Sequence, residues 1–321
     1  MIENIPLQSQ IEQLINLVVD QCPICGHHHI SDMETVYWKS VKISYSICDQ
    51  CSMVFQNPRM DEHNTGLYYE KYYRLFNDGI DVPTAWQLGY QQGRASYFER
   101  RLKPYIQDLK KGSNYLDIGS SGGIMLDMIT AKHPGQFNIY GIEPGNAYRD
   151  YTLSKGFKVY DSLPALVANS GGKFELITMS HVLEHMMDPV EYLKEIRDKV
   201  ISDTGLMMIE VPNYFGHYSY ELSHNFCFSK NTLTNAIHLA GFETVSLITH
   251  AYPNISIKPL YLNILIKPAD KSAPLVKSRP SGVRFKRALA PTDNSKLSSF
   301  FYNYTKRLLV KLGYFKKRLH A

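Results

Sequence analysis

Asp117 and Glu143 end two apolar runs twenty-six positions apart, in YLDIGSSGGIML (115–126) and IYGIEPG (139–145). After Asp117 the chain passes through Gly119, Ser120, Ser121, Gly122 and Gly123, then resumes as an apolar helical pattern. In an open α/β sheet, ligands bind beyond the carboxyl ends of the strands, where the strand order reverses. Small residues there let the backbone approach a ligand closely. An acid at the end of the second strand can accept both hydrogen bonds of a ribose diol. The loop does not have the G-x-G-x-x-G spacing of a dinucleotide site.

Four of the five cysteines form a second constellation, Cys22, Cys25, Cys48 and Cys51, in the pattern CxxC-x22-CxxC. Two residues between cysteines let one turn present both thiolates to a single ion, and two such turns complete a tetrahedral, all-thiolate zinc site. In a reducing cytosol such pairs favour metal over disulfide. The spacer suits a β-hairpin, and KISYSI (42–47) alternates like one of its strands. A closed four-cysteine site leaves no position for water, so its role is structural, supplying folding energy to a segment too small for its own core. His27, His28 and His29 follow at once; they read as solvent-facing turn residues, with replacement of one cysteine ligand as the alternative.

Histidines form the third group. FELITMSHVLEHMMDPVEYLKEI (174–196) places His181 at the end of an apolar run and His185 four residues on. A zinc pair of the HExxH kind needs a glutamate directly after the first histidine, where Val182 stands. His181 is expected to shape the pocket or move a proton, and His185 to cap or pack. A later stretch, 211–243, holds His217, Tyr220, Glu221 and His224. A histidine near its ordinary pKa suits proton removal from a hydroxyl or a C–H acid. His224 is the first expected general base, His181 the second, with Glu221 nearby.

These groups need a scaffold, and the pattern supplies one. Apolar, strand-like runs fall at 114–118, 138–143, 157–160, 174–180, 205–211, about 243–250 and 258–266, with helical patterns around 122–132, 146–155, 189–200 and 229–240. Such alternation predicts an α/β fold whose mostly parallel sheet is covered on both faces. The last two strands are separated by AYPNIS, too short for a helical crossover, so they should pair antiparallel. The 321 residues divide into 1–60 with the cysteine pairs, a Tyr-rich helical segment 61–105, the alternating region 106–268, and a basic tail 269–321. Tyr68, Tyr69, Tyr72 and Tyr73 read as core or as a cover over the ligand.

The loop at 117–123 resembles the D-x-G-x-G-x-G loop of class I S-adenosylmethionine-dependent methyltransferases: Asp117, Gly119 and Gly123 match, and Ser121 replaces the middle glycine. In many such enzymes an apolar strand ends in a motif like HVLEH-x-x-D-P, as here from His181 to Pro189. CDQCSMVFQNPR (48–59) is similar to an N-terminal zinc module in which C-x-x-C-G-h-h-h-x-N-P-R precedes a Tyr-rich helix, with Ser52 in place of the glycine. Sugar C-methyltransferases carry E-H-x-x-x-F-[ST]; His224 and Phe228 match, while Ser223 replaces the glutamate. The resemblance spans about 22–268. It implies a Rossmann-like, seven-stranded sheet with its last strand antiparallel, and S-adenosylmethionine as methyl donor. It also implies a sugar acceptor, either nucleotide-linked or part of a surface glycan. By the same resemblance Gly119, Ser121 and Gly123 pack against the amino-acid end of the cofactor, Glu143 binds the ribose, Asp161 accepts from the adenine amino group, and Asp117 orders the loop or reaches the cofactor's ammonium. A lipid- or quinone-like acceptor is the alternative, and a zinc-ribbon protein that binds or modifies RNA is another.

Charge is uneven. From Ala269 onward thirteen Lys/Arg face two Asp, a net of +11, so against +5 overall the remainder carries −6. The acidic body disfavours nucleic acid. The stretch 301–319 sets Phe301, Leu308, Leu312 and Phe315 near one helical face among lysines and arginines, a pattern that can lie on an anionic membrane. No apolar run approaches a membrane span, and the N-terminus lacks a basic start and a cleavage site. The expected place is therefore the cytoplasm, with peripheral membrane contact through the tail.

Overall fold

The computed structural model describes residues 6–80, 82–254, 258–269, 274–277 and 279–289. Helix α1 (Leu7–Glu12) and strand β1 (Ile15–Leu17) lead into a hairpin of β2 (Ile30–Trp38) and β3 (Val41–Cys48). Lys39 and Ser40 turn it with φ of 46° and 72°, the two-residue turn whose twist matches its strands. The short strands β4 (Val54–Gln56) and β5 (Arg59–Met60) follow, β5 pairing with β1. Next come α2 (Glu62–Lys71), capped by the Asp61 carboxylate on the Asn64 N–H, then α3 (Tyr73–Asp78) and α4 (Ala85–Ile106), which opens on a Thr84–Gln87 capping box.

From there strand and helix alternate. The run is β6 (Ser113–Ile118), α5 (Ile124–Lys132), β7 (Phe137–Ile142), α6 (Asn146–Ser154), β8 (Lys158–Tyr160), α7 (Leu163–Ser170) and β9 (Phe174–Ser180). It continues with α8 (Pro189–Glu195), β10 (Ile201–Pro212), the two-residue β11 (Phe226–Cys227), α9 (Lys230–Leu239), β12 (Phe242–His250), β13 (Tyr261–Pro268) and α10 (Pro280–Leu289). The main sheet has seven strands in the order β12-β13-β10-β9-β6-β7-β8, all parallel except β13, which runs against both β10 and β12. The expected α/β, Rossmann-like sheet with an antiparallel last strand is therefore present. Leu176, Ile177 and Met179 of β9 and Met207, Met208 and Ile209 of β10 are buried on both faces, as a helix-covered parallel sheet requires. Strand order reverses between β6 and β9, so the crevice opens beyond their carboxyl ends.

Three departures have local causes. α7 was not expected, because eight residues, LPALVANS, are too few to show a helical period; Ser162 capping the Ala165 N–H starts it. The helix expected over 189–200 ends in a single π turn, Ile196–Val200. The tail from 269 is not uniform: α10 docks through Arg287, whose Nη1 donates to the Tyr214 carbonyl at 2.6 Å. The amphipathic stretch 301–319 lies outside the described residues. Among the described residues no helix is long and apolar enough to cross a membrane.

The expected boundary at residue 60 falls inside continuous packing. β11, from the later part of the chain, pairs with β4 and completes a sheet in the order β11-β4-β3-β2. Cys22, Cys48, Met53 and Phe55 share a core with Ile177 and Leu183. The Tyr45 hydroxyl donates to the Glu221 carbonyl at 2.9 Å.

Ser52, where the similar module has glycine, is buried with φ of 60°. A left-handed backbone costs an L-residue about 1–2 kcal/mol, and glycine's greater unfolded freedom offsets about 0.5–1 kcal/mol. Ser52→Gly relieves this strain by about 0–1.5 kcal/mol and gives up the interactions of a buried side chain, so stability should stay within about 1.5 kcal/mol of wild type. A urea-derived loss well beyond that would show that the Ser52 side chain, rather than its backbone conformation, decides this turn.

Candidate active site

One cleft of about 1110 Å³ lies at the carboxyl ends of β6, β7 and β9. Asp117, Gly119, Ser121, Glu143, Asp161 and His181 all line it. The turn is built as its glycines demand. Gly119 has φ of 76°, and a Cβ there would stand 2.4 Å from Val182 Cγ2; Gly123 has φ of 73°, and a Cβ would meet Thr152 at 2.7 Å. Ser121 takes φ of 47° in place of glycine, its N–H donating to Glu143 Oε2 at 2.9 Å. The Gly145 N–H donates to Glu143 Oε1 at 2.9 Å, so two backbone groups fix the carboxylate on the cleft wall. Burial raises Glu143 above the ordinary glutamate range, and those two N–H groups oppose it.

Asp117 points its Oδ1 to the Thr178 hydroxyl at 2.7 Å, across to β9, rather than bonding the glycine loop. Burial pushes its carboxyl up to about 7. Asp161 is exposed and accepts from the Ser162 hydroxyl at 2.7 Å. Ser120 Oγ and Ser180 Oγ line the same cleft and are buried, with no hydrogen-bond partner among the described residues. Such orphaned hydroxyls at two strand tips fit the polar end of a bound ligand.

The histidines separate. His181, with φ of 55°, follows β9 into the cleft, its Nδ1 3.3 Å from Glu184 Oε1 and its Nε2 3.7 Å from Glu210 Oε1. Burial and the Arg94 charge work against its protonation; Glu184 and Glu210 outweigh them and raise its pKa above the ordinary value. Glu210, on β10, is fully buried, with Arg94 Nε at 3.2 Å and His250 Nε2 at 2.9 Å. Burial would raise Glu210, but His181, His250 and Arg94 together hold it at about 2.

His224 and Glu221 do not line the cleft. His224 is buried, its Nδ1 3.0 Å from the Ser219 carbonyl and its Nε2 3.7 Å from Glu221 Oε2. Burial lowers the His224 pKa and raises that of Glu221. The order of the two expected bases therefore reverses in placement: His181 reaches the crevice, while His224 sits behind it. The cause is the loop 213–229, which folds back onto the N-terminal sheet through β11. His185 bonds the Ser223 carbonyl through Nδ1 at 2.8 Å and packs edge-on against Tyr69 and Tyr73, which also line the cleft. Tyr68 is core.

Away from the cleft, the sulphurs of Cys22, Cys25, Cys48 and Cys51 all lie within 4.8 Å of one another, with Cys22–Cys51 and Cys25–Cys48 at 3.6 Å. Hydrogen bonds from Cys22, Cys25 and Cys51 hold the Cys48 thiol well below its ordinary value. The same contacts lower the Cys25 thiol and raise those of Cys22 and Cys51. Four sulphurs converging at these separations fit one tetrahedral zinc ion.

Residues 90–247 match the family described as methyltransferase domain. Over that stretch the chain is similar to a methyltransferase domain. Solved structures similar to it include S-adenosylmethionine-dependent methyltransferases from three organisms. That from Clostridium acetobutylicum ATCC 824 is 12% identical, covering 61% of this chain and 96% of that one, TM-score 0.44. That from Archaeoglobus fulgidus is 20% identical, covering 57% and 100%, TM-score 0.43. That from Aquifex aeolicus is 15% identical, covering 54% and 96%, TM-score 0.39. In this chain the glycine turn and Glu143 stand at the tips of β6 and β7, next to the reversal of strand order.

Proposed function

We propose that this methyltransferase transfers a methyl group from S-adenosylmethionine to a sugar, nucleotide-linked or part of a surface glycan, with His181 as proton acceptor and one structural zinc on the four cysteines. The observation that carries the reading is that one cleft holds both the glycine turn and His181. Its volume of about 1110 Å³ exceeds what one small ligand needs, so cofactor and acceptor fit side by side. Within a lining that is otherwise largely apolar and aromatic, Arg94, His181 and His185 supply the polar groups that could orient a hydroxyl-rich molecule.

On the cofactor side, Glu143 holds the ribose diol and Gly119 and Gly123 allow close approach. The orphaned Ser120 and Ser180 hydroxyls and Asp117 meet the amino-acid end, and the cofactor's ammonium would draw Asp117 back to its charged form. The cofactor supplies an electrophilic methyl on sulfonium. The chain's own residues align donor and acceptor, exclude water and receive the acceptor's proton, so most of the barrier reduction is alignment.

Glu143→Ala removes both acceptors of the diol. Two charge-assisted hydrogen bonds are worth about 2–3 kcal/mol together here, or about 30–150-fold in affinity. Calorimetry with S-adenosylhomocysteine should show that loss; equal binding by wild type and variant would place the ribose elsewhere. A methyl-transfer screen over nucleotide sugars, quinones and lipids tests the acceptor. Transfer to a quinone or lipid with none to any sugar would replace the acceptor class and leave the donor site standing.

A further inference from the structure

At the cleft wall and behind it three side chains converge, none of which receives the proton in the methyl transfer above: Glu184, His185 and His224. Their donor atoms all lie within 4.8 Å of one another, with His185 Nε2 3.9 Å from Glu184 Oε1. Both histidines are held by the far ring nitrogen. His185 Nδ1 is 2.8 Å from the Ser223 carbonyl, and His224 Nδ1 is 3.0 Å from the Ser219 carbonyl. A carbonyl can only accept, so each Nδ1 carries the hydrogen and each Nε2 presents a lone pair. This is the outer-shell arrangement that orients metal-bound histidines and fixes their tautomer. The two rings meet edge to face at 4.9 Å.

The carboxylate supplies an independent sign. Glu184 is 1% exposed, and neither of its oxygens has a hydrogen-bond partner among the described residues. A buried carboxylate left without hydrogen bonds is costly unless it is paired or binds a metal. His181 Nδ1, at 3.3 Å from Oε1, is its nearest ion-pair neighbour and leaves the other oxygen unmatched.

We propose that Glu184, His185 and His224 bind a second divalent transition-metal ion, with zinc the natural occupant of this two-imidazole, one-carboxylate set. Ligands about 2.0–2.2 Å from a tetrahedral ion lie about 3.3 Å apart, so each pair closes by up to about 1.5 Å, shared between two side chains. The fourth position faces the cleft beside Tyr69 and Tyr73, since those residues and His185 line it. Glu184 would then bridge the ion and His181. The assignment concerns metal binding alone, and its readouts stand or fall separately from the acceptor's identity.

The test is zinc stoichiometry of the full chain, by metal analysis after equilibrium dialysis against zinc. Wild type should hold two ions. Glu184→Gln, of nearly the same shape, and His224→Gln should each hold one, with the four-cysteine ion retained and the second-site affinity down by more than about 100-fold, beyond the 10–100-fold that losing an outer-shell partner costs. A second measurement needs no variant. Cobalt added to wild type that carries a single equivalent of zinc, held by the four cysteines, should shift two exchangeable histidine N–H proton resonances, those on the Nδ1 atoms held by Ser219 and Ser223. One ion per wild-type chain at saturation, two ions undiminished by both substitutions, or no shifted pair with cobalt would each overturn the assignment.

Discussion

Cys48→Ser should release the four-thiolate ion and lower the melting temperature by about 10 °C or more. Structural zinc on such sites is worth about 10–16 kcal/mol of apparent binding energy, which is folding energy when the unfolded chain has no preformed site. Even a loss of about 4 kcal/mol moves the midpoint by about 8–16 °C in a chain of this order of size. The effect should not stay local. Cys48 ends β3, which sits in the same sheet as β11, and Cys22, Cys48 and Cys51 pack in one core with Ile177 and Leu183. The loop carrying His224 should therefore loosen with the hairpin. Cobalt substitution reads the ion directly: the thiolate-to-cobalt absorption of the wild type should vanish in the variant. A variant that keeps the band and melts within about 2 °C of wild type, a difference of about 1 kcal/mol or less, would show that these sulphurs do not hold a folding metal.

How far the sequence went depended on whether the signal was local. The four cysteines are a spacing problem, and spacing survives without a structure; the hairpin that closes them is what KISYSI announces. Asp117 and Glu143 were legible because each interrupts an apolar run at a strand end. Glu210 in GLMMIEVP carries the same mark, an acid within a buried strand, and it proves to anchor Arg94, His181 and His250. Arg94 and His250 had no such mark. They reach Glu210 from α4 and β12, and only the sheet order brings those elements to β10. Glu184 sits inside the HVLEH run, yet its burial follows from the turn at Leu183–His185, which no period predicts. The reversal of His181 and His224 has the same origin. Motif resemblance fixes which residues are present, whereas the path of the loop 213–229 over the N-terminal sheet fixes which one faces the cleft.

His181→Gln should lower kcat by about 10²–10⁴-fold, the range for losing a positioned general base, or about 2.7–5.5 kcal/mol by transition-state arithmetic. Affinity for S-adenosylhomocysteine should stay within about twofold, since the ribose and the glycine turn are held by other residues. The pH profile is the sharper readout. With no ion on Glu184, carboxylates on both sides of the imidazole raise its pKa above 6.5, and a base works only when neutral. Wild-type kcat/KM should therefore climb with pH through a value above that of a free histidine and level off once His181 has lost its proton. The variant should be flat over that limb. Stability has the opposite slope. A pKa raised in the folded chain contributes stability that is fully present below pH 6.5 and is lost as pH rises through the folded value. The most stable form and the most active form are then different protonation states of one side chain. A variant with kcat within threefold of wild type, or one that keeps the alkaline rise, would assign the proton transfer to another group.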